Sequence, residues 1–345
     1  MRSLINRLTY PVGIDEYLQL FNPLAGQEPL GIIEKIRPNG TRAVTMSIRC
    51  ATSWHGHLAG QHVLVGVDIN GVRHQRCYSI TSAPGIDTRR IEITVGDHPG
   101  GTVSSYLNHD VKIGELVHLS EPQGELATTP IEGPNLAITG GTGITPIVSI
   151  VRSLANRGHQ DRFTIVHFVP ERSQMLFAEE LDVLSDQRPW LNIVVVETAQ
   201  YHTHLTSELL DQLAPTWRTT PAYVCGPQPL IDAATELWAD PATTSELRSE
   251  SFSPFTISSE PHQVTRSIYF ERAGVTAEAN ATILDAAESA GLTPPTGCRS
   301  GICHTCTATL TNGCATNQRT GQRHTPGSSV QICVTTPDGD CAIDL

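Results

Sequence analysis

The stretch GCRSGICHTC, residues 297–306, sets three thiols in one short loop, and VQICVTT adds a fourth further on. Cys298, Cys303 and Cys306 have the spacing C-x4-C-x2-C, and Cys333 follows after a gap long enough for a strand. Thiolates are soft ligands that suit zinc or iron–sulfur centres. Structural zinc prefers two pairs of closely spaced cysteines, whereas here the first gap is longer and the fourth thiol stands alone. The spacing agrees with a [2Fe–2S] centre held by three ligands of one loop and one of a distant strand. Any fold of this chain must therefore bring that loop against Cys333. Gly297 and Gly301 let the loop turn its N–H groups inward without a Cβ in the way. Cys50, Cys314 and Cys341 lie off the pattern and read as small packed hydrophobes.

Upstream of this unit the texture of the chain changes twice. LGIIEKIRP, RAVTMSIRC, QHVLVGVDI, VRHQRCYSI, RRIEITVG and ELVHLSEPQG are short β-branched runs separated by turn residues. Asn70-Gly71 between two of them is a two-residue hairpin signal. Six short strands and one helix-like piece, TVSSYLNH, predict a small antiparallel barrel. From residue 135 onward NLAIT, FTIVHFV, LNIVVVE and AYVCG are apolar runs of the kind found in buried parallel strands. They alternate with the helix candidates PIVSIVRSLANRG, MLFAEELDVL, SELLDQLA and PLIDAATELWA, which predicts a doubly wound sheet. SFSPFTISSEPHQ reads as a Ser- and Pro-rich linker. In the last unit SIYFE and VTAEA predict a hairpin about Gly274, and TILDAAESAG a helix ended by Gly291. The expected divisions are an extension over 1–29 with one helix candidate, GIDEYLQLFNPL, a barrel over 30–130, an α/β domain over 131–250, a linker over 251–262 and a cysteine-bearing unit over 263–345.

Charge narrows the partners. The net charge of −12 repels phosphate backbones and argues against nucleic acid. Lys35 and Lys112 are the only lysines. The opening residues lack the apolar core of an export signal and no run is long enough to span a membrane, so a cytoplasmic protein is expected. Nine cysteines in such a protein point to metal or redox chemistry rather than a disulfide framework. The C-terminal unit carries seven acidic residues and five arginines from residue 263 on, which suits a basic docking face on an acceptor.

Two further constellations carry chemistry. Arg76-Cys77-Tyr78-Ser79 ends a strand, and Gly100-Gly101-Thr102-Val103-Ser104 opens a helix some twenty residues later. An arginine fork and a glycine-rich helix start together make a pyrophosphate site, and a tyrosine beside them can pack on a flat ring. NLAITGGTGITPIVSIV then puts Gly141-Thr142-Gly143 between a predicted strand and helix, with Thr145 as expected N-cap and Pro146 as first helical residue. That loop also offers N–H groups to a pyrophosphate. AYVCGPQPL ends a later strand on Cys225-Gly226-Pro227.

The order of these motifs resembles the ferredoxin–NADP reductase superfamily, and residues 263–345 resemble a plant-type [2Fe–2S] ferredoxin domain. The resemblance covers nearly the whole chain and looks like bacterial reductases that serve oxygenases, hydroxylases or desaturases. It implies an antiparallel flavin-binding β-barrel, a doubly wound α/β nicotinamide-binding domain and a C-terminal α+β (β-grasp) ferredoxin domain. The cofactors implied are FAD, NADPH or NADH, and a [2Fe–2S] cluster on Cys298, Cys303, Cys306 and Cys333. Arg76 would hold flavin phosphate, Tyr78 would pack on the flavin and Ser79 would lie near its N5. Gly101, Thr102, Val103 and Ser104 would hold the pyrophosphate. Gly141, Thr142, Gly143, Thr145 and Pro146 would hold the nicotinamide nucleotide, with Cys225, Gly226 and Pro227 at the hydride-transfer point. Glu250, before an aromatic at the end of this domain, would lie by the flavin. Gly96 departs from relatives that carry a basic residue there, and Cys314 from a Gly-x-aliphatic turn. Arg172 and Ser173, where the adenosine ribose would lie, favour NADPH, while Glu171 beside them would suit a bare ribose. Electrons would pass from NAD(P)H through flavin and cluster to an outside acceptor. A different role for the C-terminal unit, as redox sensor or docking module, stays open at this point.

Overall fold

The computed structural model describes residues 30–85, 88–98, 100–124, 126, 131–201, 204–250, 266–279, 281–297, 299, 301, 305–319 and 321–345. The expected helix in GIDEYLQLFNPL, the linker, Cys298 and Cys303 lie outside them. The chain divides into two compact units, one carrying the barrel and the α/β layers, the other the C-terminal cysteine-bearing fold.

All six predicted barrel strands form: β1 (Leu30–Pro38), β2 (Ala43–Cys50), β3 (His62–Ile69), β4 (Val72–Ser79), β5 (Arg90–Gly96) and β6 (Leu116–Leu119). Their order is β4-β3-β6-β1-β2-β5. An antiparallel bridge between Ile80 and Ile93 ties the end of β4 to β5, which closes the ring and removes both edges. Asn70 adopts φ 51° and Gly71 φ 79°, the paired left-handed conformation that a two-residue hairpin turn requires. Ile33, Met46, Ile48, Val65, Ile93 and Val117 fill the interior. The helix Thr102–His109 covers one end through Val103 and Leu107.

The second layer is the parallel sheet β7 (Asn135–Gly140), β8 (Phe163–Val169), β9 (Leu191–Glu197), β10 (Ala222–Cys225) and β11 (Leu247–Glu250), in the order β11-β10-β7-β8-β9. β7 and β8 are buried along their whole length, as strands covered on both faces must be. One core packs Ile147, Val151 and Phe163 on one side, and another packs Ile138, Val166 and Trp217 on the other. Two polar residues sit in the middle of this apolar sheet. His167 Nδ1 lies 2.8 Å from Thr139 Oγ1, and His167 Nε2 has no hydrogen-bond partner among the described residues. Burial pushes the His167 pKa down to about 4. The neutral ring is thus the folded form, so its contribution is complete above the ordinary histidine pKa and is lost as pH falls from there toward about 4. The expected acid loss is about 3 kcal/mol, read as a falling urea midpoint between neutral pH and pH near 4. His167→Gln should flatten that limb; an unchanged limb would remove His167 as its cause.

The C-terminal unit has the order β13-β12-β19-β14-β17, with β12 (Arg266–Phe270), β13 (Val275–Ala279), β14 (Thr307–Asn312), β17 (Ser329–Gln331) and β19 (Cys341–Asp344). A second small sheet joins β15 (Ala315–Asn317), β16 (Arg323–His324) and β18 (Thr335–Pro337). β12 and β13 form the expected hairpin, and β19 pairs parallel to β12 and antiparallel to β14. The helix Ile283–Ser289 opens on a capping box, where Thr282 and Asp285 satisfy each other's backbone N–H. It buries Ile283, Leu284 and Ala287 against Phe270 and Leu310. This is a β-grasp arrangement.

Candidate flavin, nicotinamide and iron–sulfur sites

Alternation along β4 puts Arg76 and Tyr78 on one face and Cys77 and Ser79 on the other. Ser79 is buried, and its Oγ lies 2.9 Å from Thr145 Oγ1. Arg76 Nη1 donates to the Gln75 carbonyl at 2.7 Å. The glycine pair lies where expected. Gly100 has φ 79°, and Gly101 is the N-cap of the helix Thr102–His109 with no side-chain cap hydrogen bond. The first N–H groups of a helix left uncapped by side chains are anion donors. A Cβ on Gly101 would displace Ser104 Oγ and come 3.1 Å from the His98 carbonyl. These residues fit a flavin pyrophosphate.

The two glycine loops of the α/β layer meet backbone to backbone. β7 runs into a 3-10 turn, Gly141–Gly143, and directly on into the helix Ile144–Asn156. The N-cap of that helix is Gly143, so Thr145 is not the cap expected from sequence. The 3-10 turn feeds the helix without a break, and Thr145 and Pro146 fall inside its first turn. The Thr145 hydroxyl instead faces two acceptors, the Thr142 carbonyl at 2.8 Å and Ser79 Oγ at 2.9 Å, and its one proton is shared between them. A Cβ on Gly143 would overlap the Cys225 carbonyl and come within 2.7 Å of the Gly226 nitrogen. Gly226 in turn lies against Gly140, and Pro227 caps the helix Gln228–Trp238. The two glycine turns thus pack backbone against backbone with no room for a side chain between them, while Gly141 beside them faces open space. Gly96 presses on Thr142: a Cβ there would be 2.8 Å from Thr142 Cγ2. This is a physical reason for a glycine at this position.

Cys225 is fully buried, and burial, with the charge of Glu250, pushes its thiol well above the usual range. It stays a neutral packing surface at neutral pH. In the sheet register Cys225 lies between Thr139 and Glu250. Glu250 is buried, and its Oε1 is 2.6 Å from His62 Nδ1 at the start of β3. Gly124, at φ 108°, makes room: a Cβ there would be 3.0 Å from that nitrogen. Glu250 Oε2 has no partner among the described residues. His62 was not singled out from sequence, since 188 positions separate it from its partner.

Arg172 follows β8, as expected, but its Nη2 is 2.7 Å from both oxygens of Asp182, and its backbone N–H donates to Glu197 at 2.7 Å. Ser173 Oγ donates to Glu171 at 3.3 Å.

Of the four thiolate candidates, Cys306 and Cys333 are described, and both are buried. The Ile332 N–H donates to the Cys306 carbonyl at 3.3 Å, so the loop's last cysteine adjoins Cys333, which lies in the turn after β17 and not on a strand as expected. Gly301, inside the loop, has φ 68°, and a Cβ there would sit 2.7 Å from Val334 Cγ2. Its carbonyl accepts from Gln331 Nε2 at 2.8 Å and Arg319 Nη1 at 3.3 Å. Arg299, also in the loop, takes φ 55° and donates to Glu288 at 3.0 Å. A glycine-dependent loop laced to the strand that precedes the last thiol fits an iron–sulfur centre. Gln331 and Arg319 are further residues that sequence reasoning missed, since nothing local marks them.

Three family models match in chain order. They are an oxidoreductase FAD-binding domain over residues 32–127, an oxidoreductase NAD-binding domain over 137–236 and a 2Fe-2S iron-sulfur cluster binding domain over 268–338. An NADPH oxidoreductase of Mycobacterium tuberculosis is 34% identical over 354 residues, covering 100% of this chain and 92% of the relative. A putative toluene-4-sulfonate monooxygenase system reductase subunit of Comamonas testosteroni is 30% identical over 266 residues, 75% of this chain and 78% of the relative. In fold, phthalate dioxygenase reductase superposes with a TM-score of 0.64 at 22% identity, covering 92% of this chain and 97% of that one. Barrel, α/β layer and β-grasp unit on one chain define an iron–sulfur flavoprotein oxidoreductase driven by a nicotinamide cofactor. The chain belongs to the ferredoxin–NADP reductase superfamily, in the branch with a C-terminal [2Fe–2S] domain. Among the described residues no helix is long and apolar enough to cross a membrane.

Proposed function

We propose that this reductase takes hydride from NADPH and delivers single electrons to an oxygenase, hydroxylase or desaturase in the cytoplasm. Bound flavin supplies the exchange between two-electron and one-electron chemistry, and a bound cluster near about −400 mV supplies a strong one-electron donor. The observation that carries the reading is the 2.9 Å contact between Ser79, which ends the flavin motif, and Thr145, which follows the nicotinamide loop. It sets the two motifs edge to edge. In this reading Arg76 and residues 101–104 hold flavin phosphates, Tyr78 packs on the ring, and Ser79 faces N5. Residues 141–146 and Cys225–Pro227 hold the nicotinamide nucleotide, and Glu250 borders the flavin. Cys298, Cys303, Cys306 and Cys333 are the cluster ligands. The relatives' names support an oxygenase acceptor, since one is the reductase subunit of a monooxygenase system. The test is an anaerobic NADPH titration followed by absorbance and spin resonance. Flavin bleaching together with a reduced-cluster signal is expected; bleaching without that signal would end the electron path proposed.

For the nucleotide, Arg172 and Ser173 in the loop after β8 support NADPH, as does the name of the mycobacterial relative. The 2′-phosphate would take Arg172 over from Asp182, exchanging a carboxylate for a more highly charged bidentate partner. Arg172→Ala is expected to raise KM for NADPH about tenfold while leaving KM for NADH nearly unchanged. Equal changes for both would assign the adenosine end to bare ribose recognition.

A further inference from the structure

The helix Ile144–Asn156 carries a polar stripe within an otherwise apolar buried surface. Thr145, Ser149 and Arg152 stand at i, i+4 and i+7 and so share one face. All three reach the same four residues of the barrel, Ser79 to Ser82, which continue directly from the flavin motif. Thr145 Oγ1 is 2.9 Å from Ser79 Oγ, Ser149 Oγ donates to the Ser82 carbonyl at 2.7 Å, and Arg152 Nη1 donates to the Thr81 carbonyl at 2.8 Å. Ser149 is wholly buried.

Arg152 does more than close this row. Nη1 is also 3.1 Å from Glu92 on β5, while Nε and Nη2 fork onto Glu180 at 2.6 and 2.7 Å. Its guanidinium lies 5.3 Å from the centre of the Phe177 ring. Phe177 takes φ 57°, and its N–H donates to Asn39 of the barrel at 2.8 Å. Burial opposes the Arg152 charge, and the bonds to Glu180 and Glu92 outweigh it, so its pKa is raised. One half-buried cation is thus shared between a barrel carboxylate, a barrel carbonyl and an α/β-domain carboxylate.

Apolar surfaces can slide over one another at small cost, whereas directional bonds to successive backbone carbonyls have one register. The start of this helix is the nicotinamide loop, and the segment it grips is the end of the flavin strand. We infer that Ser149 and Arg152 are positioning residues that set the spacing between nicotinamide and flavin, and so the geometry of hydride transfer, without touching either ring. The inference rests on the assignment of the two motifs under the proposed function. Sub-ångström placement matters in such a step, because displacements of about 1 Å can cost about a hundredfold in rate.

The test follows the anaerobic bleaching of flavin in the full-length holoprotein at saturating NADPH and 4-deuterated NADPH over a range of temperature. Ser149→Ala combined with Arg152→Met is expected to slow the limiting rate about tenfold. FAD content and nucleotide dissociation constant should stay near wild type, and the isotope effect should become temperature-dependent. Ser149→Ala alone should give the same change at smaller size, and Arg152→Lys should recover part of the rate. Val151→Ala, on the sheet-facing side of the same helix, is the control for simple destabilisation. A double variant matching wild type in rate and isotope effect would overturn the inference, and so would a Val151→Ala variant that reproduced its behaviour. If the wild type itself shows no isotope effect and no bleaching, the motif assignment fails first, and the positioning role with it.

Discussion

Gly143→Ala is expected to abolish nicotinamide-driven reduction while sparing the flavin. The added methyl would overlap the Cys225 carbonyl and crowd the Gly226 nitrogen at 2.7 Å. Both obstacles are backbone, so no side-chain rotation relieves the clash; one of the two loops must move. Moving either separates the two glycine loops, the proposed nicotinamide site, from Ser79. The rate of flavin bleaching by NADPH should fall at least about a hundredfold, and stability by about 2 kcal/mol. FAD content and reduction by dithionite should be retained, because β4 and the helix Thr102–His109 belong to the barrel. Gly141→Ala is the informative contrast. A Cβ there meets nothing within 4 Å, and only the left-handed φ of 53° resists it, at about 1 kcal/mol. Its effect on bleaching should be slight. A Gly143→Ala protein that NADPH bleaches at the normal rate would show that the two loops are not the nicotinamide cradle.

Cys333→Ser is expected to cut the path at the other end. The side chain is buried on the segment after β17, next to the strand residues that hold the Gly301 loop. Serine keeps the size of the thiol but offers a harder, less acidic oxygen to iron. The variant should lose the visible absorbance and iron content of a [2Fe–2S] centre. NADPH-dependent reduction of cytochrome c should drop at least about a hundredfold, while reduction of ferricyanide by the flavin stays near wild type. Gly301→Val should behave alike, through its clash with Val334 rather than through ligation. Cytochrome c reduction surviving in Cys333→Ser would mean that the C-terminal unit serves as sensor or docking module and not as the exit for electrons.

Local chemistry explains which parts of this arrangement sequence reasoning reached. The six barrel runs, the Asn70-Gly71 turn and the fully apolar β7 and β8 each announce themselves over a few residues. The cysteine spacing and the glycine turns do so because one residue type is uniquely suited there. Thr145 shows where this ends. A threonine before a proline looks like a cap, yet the preceding glycine turn had already begun the helix, and its hydroxyl is used across the domain boundary. His62 with Glu250, and Arg152 with Glu92, lie 188 and 60 positions apart and share no local signature. Arg172 follows β8 as its sequence context indicates, but its partner Asp182 has no local signal, because an exposed aspartate on a helix is ordinary.

The place of β19 has a consequence for biogenesis. It is the last strand in chain order, yet it sits at the centre of its sheet, between β12 and β14. Residues 266–340 cannot complete their sheet while Cys341–Asp344 is still inside the ribosome, although every thiol of the cysteine pattern has by then been made. Assembly machinery that delivers iron and sulfide therefore meets a unit whose strands have all been made, and loading the metal centre belongs after translation of this unit rather than during it.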